Sequence, residues 1–215
     1  MGAVELDDIL EILTVWSEII IYGSGADAGL ASRIAEQISS LWNEPDAVVT
    51  LRKKNYRLRF EIKGAFRPGL GPDEIHANLN PRLNFFRIEA FARDNISFVD
   101  ETGCNTGYFK LDNLLNPSTT AAHEYGHSLG LKHPDQLDIR GKGQPGIMYP
   151  RGTWVDPEFQ YDPAALPGKP GGTMNPALRK VTAQDIADLH LEALRFPGPE
   201  PAILGDFTNL YHDPH

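Results

Sequence analysis

The sequence predicts an α+β fold, on three observations. Period-2 alternation marks strands in the first half, and apolar stripes at helical spacing mark separate helices. A third tract, residues 134–180, is dense in Gly and Pro and has neither period, so it reads as irregular chain with many turns. Residues 9–22 are rich in Ile, Val and Trp and stop at Gly23, so at least their second half is expected to be a strand. Residues 27–42 put Leu30, Ile34, Ile38 and Leu41 on one stripe, and Asn43 and Pro45 stop that helix. Residues 47–62 read as a hairpin around the turn-like KKN. In its second arm Tyr56, Leu58, Phe60 and Ile62 alternate with Arg57, Arg59 and Glu61. A Gly/Pro-rich loop over 64–81 leads to strand candidates at 83–91, 96–99 and 108–111. Near the end, Thr182 followed by Asp185 resembles a capping box. Val181, Ile186, Leu189 and Leu194 supply the apolar face of the helix it opens. Beyond Pro197 the tail reads as extended or frayed.

At 215 residues the chain suits one domain, 1–215, large enough to bury a core without staples. Its net charge of −9 argues against phosphate-backbone binding, which needs a basic face. The single cysteine, Cys104, excludes an internal disulfide and reads as an ordinary free thiol. No basic leader precedes the first apolar residues, so they are not read as a signal peptide. No apolar run approaches the roughly 18 residues that span a bilayer. The localisation stays open between the cell interior and a domain of a longer exported chain.

The chemistry concentrates in His123-Glu-Tyr-Gly-His127-Ser-Leu-Gly130-Leu-Lys-His133. Asn116 as N-cap and Pro117 at the first helical position predict a helix over 117–129. On it, His123 and His127 are four residues apart, about 400° of rotation, so both imidazoles leave one face. That spacing lets two nitrogens reach one Zn²⁺ at about 2.0–2.1 Å. Glu124 is rotated by about 100° from His123, and can approach a metal-bound water without taking a coordination position. Gly130 sits where a left-handed residue would end the helix. The resulting turn would swing His133 to the metal, and Pro134 would block helix resumption. Three neutral imidazoles leave the ion its full charge, to acidify a water and polarise a carbonyl. A chance match to this whole pattern is on the order of 10⁻⁵ or rarer.

HEYGHSLGLKH resembles the extended zinc motif of the metzincin metallopeptidases. About fifteen residues on, Gly146-Ile-Met148-Tyr-Pro150 resembles their Met-turn in its matrixin form, and the start of the last helix, 181–186, also looks matrixin-like. Pro134 directly after the third His is similar to the serralysins. The stretch 147–186 is similar to zinc-peptidase ends of bacterial Rhs-type toxins. The resemblance implies a zincin fold. An upper lobe (about 1–133) would hold a mixed twisted sheet and two helices, and an irregular lower lobe (about 134–215) would carry a C-terminal helix. It implies Zn²⁺ on His123, His127 and His133, Glu124 as general base, and Met148 as a packing floor. Tyr149 and Pro150 would wall the pocket for the side chain after the cleaved bond. A peptide would lie extended along an edge strand within 84–99.

The function expected is therefore metal-assisted hydrolysis of a peptide or protein by a monomer, without nucleic acid or membrane. Two alternatives stand beside it. One is a catalytically silent module that keeps zinc for stability, which metal analysis with an activity screen would reveal. The other is a zinc hydrolase of a small non-peptide amide, which a narrow closed pocket would favour. A structural Ca²⁺ among the carboxyls of residues 94–105 is a further option, with a solvated loop the simpler reading.

Overall fold

The computed structural model describes residues 1–115, 118–196 and 200–215. It is a mixed α/β structure, compatible with the α+β class: five α-helices accompany one curled mixed sheet of eight strands among the described residues. The chain opens on a strand absent from the sequence reading, β1 (Gly2–Asp7), which runs antiparallel to β2 (Ile12–Tyr22). β2 is the long central strand and buries Leu13, Val15 and Ile19 at alternate positions.

Helix α1 (Ala28–Asn43) starts where its stripe predicts. The Asp27 carboxylate caps it by accepting from the Leu30 N–H at 2.7 Å. Leu30, Ile34, Ile38 and Trp42 form its buried face; Leu41 is only partly covered. The hairpin follows as β3 (Val48–Leu51) and β4 (Lys54–Phe66). Its turn is Arg52-Lys53, two residues with φ of 49° and 68°, slightly earlier than the KKN reading. β4 also runs past the expected end and takes Gly64 out of the loop. A Cβ there would stand 2.1 Å from the Ala31 carbonyl oxygen, so a bare α-carbon is what lets α1 lie on the strand.

The loop after β4 contains α2 (Pro72–His76), and then come β5 (Leu83–Glu89), β6 (Phe98–Val99) and β7 (Thr106–Lys110). The strand order is β3-β4-β2-β5-β7-β6. β2 pairs in parallel with β4 along one side. Its other side is shared, with residues 12–16 bound to β1 and 18–22 to β5, and the sheet divides there. β6 closes this order as an antiparallel edge strand.

After α3 (Asp112–Leu115) comes α4 (Thr120–Ser128), the histidine helix. It is shorter than the expected 117–129, and the proposed cap Asn116 and Pro117 lie outside the described residues. Thr119 takes the cap position without a capping side-chain bond, because its hydroxyl donates to the Pro176 carbonyl instead. Tertiary contacts hold the helix. Trp42 Nε1 donates to the Ala122 carbonyl at 3.1 Å, its ring meets Tyr125 edge-on, and the Tyr125 hydroxyl bonds to Ser17 of β2 at 2.8 Å.

Residues 134–180 are irregular, as the composition predicts, with a small core of Ile139, Val155 and Met174. The Thr182–Asp185 capping box is formed, but the helix it opens, α5 (Ala183–Ala187), is far shorter than expected. It stops at Ala187; His190 then turns left-handed at φ 50°, and only a short 3-10 turn over Leu191–Ala193 follows before Leu194. Of the two expectations for the tail, extended or frayed, the first holds: β8 (Ala202–Leu204) pairs with β1, and the Asp206 N–H donates to the Gly103 carbonyl. Among the described residues no helix is long and apolar enough to cross a membrane.

Candidate metal centre

α4 brings His123 and His127 together, and the turn after it delivers His133. The turn is a Schellman motif. The Leu131 N–H donates back to the Gly126 carbonyl and the Gly130 N–H to that of His127, both at 3.0 Å, with Gly130 at φ +104°. A Cβ on Gly130 would meet nothing within 4 Å, so glycine is needed there for its dihedral and not for space.

The three rings then converge. His133 Nε2 lies 3.1 Å from His123 Nε2 and 3.0 Å from His127 Nε2. Tetrahedral ligands at 2.0–2.1 Å from zinc stand about 3.3 Å apart, close to these separations. The other nitrogens explain the convergence. His123 Nδ1 donates to the Ile147 carbonyl at 2.7 Å and His127 Nδ1 to that of Leu131 at 2.8 Å. Each bond fixes the tautomer, so both Nε2 atoms face the common point as bare lone pairs. A metal ion at that point would take up these lone pairs. Among the described residues these three histidines are the group able to hold a metal ion.

Electrostatics agree. Burial holds all three imidazoles below the ordinary histidine range, His133 at about 4, and neighbouring cations add to the effect, with Arg179 acting on each. Neutral rings are the form that binds metal. Glu124 is 7% exposed, and burial pushes its carboxyl up to about 8, while Arg179 and the Val99 N–H pull it back. It lies between the histidines and β6.

Met148 is buried beneath the helix at Gly126, where a Cβ would sit 2.3 Å from its sulfur and 3.2 Å from Trp42. Gly126→Ala is therefore expected to destabilise by about 1–2 kcal/mol in a urea titration, overpacking outweighing helix propensity. A stabilised variant would show that the Met148 contact does not constrain α4. The turn itself is held by Asp185, whose carboxylate faces the Ile147 and Met148 N–H groups while capping α5, although burial raises its pKa. Pro150 lines the cleft over the histidines, and the Tyr149 ring packs on Ile139, Val155 and Met174.

The cleft over the histidines has a volume of about 500 Å³ and is lined by residues 95–102 and by Pro150, Arg151 and Arg179. Arg179 is the residue sequence reading missed. An Arg-Lys pair before a helix reads as solvated, and its burial depends on contacts far along the chain. The calcium option gains no cluster: Asp100 is taken up by the Thr106 hydroxyl and by His212 at 2.8 Å. Cys104 is free and buried. Comparison with protein-family models and with curated proteins finds no match.

Proposed function

We propose that the protein is a zinc-dependent endopeptidase of metzincin type, with a sheet-bearing upper lobe and an irregular lower lobe on either side of its cleft. The observation that carries this reading is the convergence of three neutral imidazoles beside a buried carboxylate that is not one of them. An all-nitrogen set of three histidines suits Zn²⁺ and leaves coordination positions for water and substrate. A zinc ion there supplies Lewis acidity, which polarises a carbonyl and makes water a better nucleophile.

The chain's own residues do the rest. Glu124 accepts a proton from the attacking water and gives it to the departing amine. Burial favours the first of these roles, because desolvation makes the carboxylate a stronger base than an exposed one. β6 is an edge strand lining the cleft, a position that suits an extended peptide laid alongside it better than a compact small amide. The intact Glu124 favours turnover over a silent zinc module.

The test pairs metal analysis with cleavage of a mixed peptide library. About one zinc per chain, with internal cleavage that stops on chelation and returns with Zn²⁺, is the expected result. A chain that holds zinc and cleaves nothing would refute the peptidase reading.

A further inference from the structure

Arg179 is 5% exposed and lines the cleft beside the histidines. Its Nε–H donates to the Thr119 hydroxyl and Nη1 to the Tyr149 carbonyl, both at 2.9 Å. Both acceptors are neutral, and a guanidinium has five N–H groups. Among the described residues no carboxylate oxygen lies within 4 Å of it and no hydrogen bond engages Nη2. Glu124 is near enough to be felt electrostatically but forms no ion pair with it. Burial lowers the pKa of Arg179 only to about 10, so it is still a cation at neutral pH. A buried charge without a counter-charge is costly, and natural structures satisfy it with an anion. Arg151 also lines the cleft and adds to the positive field at Arg179. The lining carboxylates besides Glu124 are Glu101 and Asp100, the latter engaged by Thr106 and His212.

We propose that Arg179 is a specificity-determining residue that seats a carboxylate of the peptide on the leaving-group side of the cleaved bond. The side is the one the metzincin reading gives to Pro150: Arg179 bonds to the carbonyl of the residue before it and lines the same cleft. This rests on the peptidase reading. The planar fork of a guanidinium matches a carboxylate in a way that a neutral amide cannot reproduce. The carboxylate comes either from an Asp or Glu side chain directly after the bond or from a chain terminus there.

Two sets of matched peptides separate these sources. Blocked peptides carry Glu or Gln after the bond; a second set ends at that residue as a free acid or an amide. Each pair is assayed for cleavage by the zinc-loaded chain, and for binding to Glu124→Gln by fluorescence anisotropy. In both readouts the acidic member of at least one pair is expected to lead by about 10–100-fold, as for a charge-assisted hydrogen bond. Arg179→Gln should bring that ratio close to one while neutral peptides are still cut, and Arg179→Lys should keep part of it. Equal values within both pairs for the wild-type chain overturn the proposal, whether or not Arg179→Gln folds. A preference that Arg179→Gln leaves unchanged overturns it too. Selective binding with no cleavage of any peptide keeps the carboxylate site and refutes the peptidase; cleavage without selectivity does the reverse.

Discussion

Glu124→Gln is expected to lower kcat/KM on any cleaved peptide by about 10²–10⁴-fold, the range of a lost general base, while zinc content stays at the wild-type level. The carboxyl is not among the converging nitrogens, so on the proposed mechanism its loss removes a proton carrier and not a ligand. The same substitution has a second consequence with a definite sign. The carboxyl titrates near 4.5 in an unfolded chain and at about 8 in the fold. Its folded pKa is raised, so between those values the folded state holds the proton more tightly. Stability is therefore lost as pH rises through that window. Glutamine is always neutral and escapes the loss. In the metal-free protein, Glu124→Gln should match wild type near pH 4 and exceed it at pH 9, by on the order of 4–5 kcal/mol. Urea titrations at the two pH values measure this. Equal stabilities at pH 9 would show that Glu124 is not in a desolvated site, and a variant that cleaves at full speed would remove it from the mechanism.

The second large effect is on metal and stability together. An ion that binds the fold and not the unfolded chain adds about 4 kcal/mol at a free concentration of 1,000 Kd. Zn²⁺ should therefore shift the urea midpoint of the metal-free chain strongly upward. His133→Ala should remove most of that gain and weaken zinc by more than about 100-fold, beyond the 10–100-fold that loss of a supporting residue costs. The two helix histidines alone would leave an incomplete set. Chelator competition reads the affinity directly. An undiminished zinc shift in His133→Ala would mean that the ion binds elsewhere.

Much of this site was legible because its geometry is local. His123 and His127 meet through the helical repeat, and Gly130 announces the left-handed turn that the Schellman bonds complete. The Tyr56, Leu58 and Phe60 alternation reports β4 for the same reason, since a pleat exposes its neighbours every second residue. What escaped depends on partners far along the chain. β1 and β8 are short and stabilise each other across nearly the full sequence. Gly64 looks like a loop residue until α1 is laid against it. The reading carried α5 too far, because His190 is not a residue that advertises a left-handed turn. Arg179 has a sequence neighbourhood of polar character, and nothing in it shows that Thr119 and the Tyr149 carbonyl will draw it inside.

The two carbonyls that orient the ligand rings differ in one further respect. His127 finds its acceptor four residues away, within the turn that ends its own helix, whereas the acceptor of His123 comes from 24 residues along the chain. The first bond can form as soon as α4 does. The second must wait until a long loop has closed and the Ile147 segment has docked, at an entropic cost that local structure does not carry. A full set of oriented ligands is therefore a late event in assembly, and high-affinity metal uptake would mark its completion.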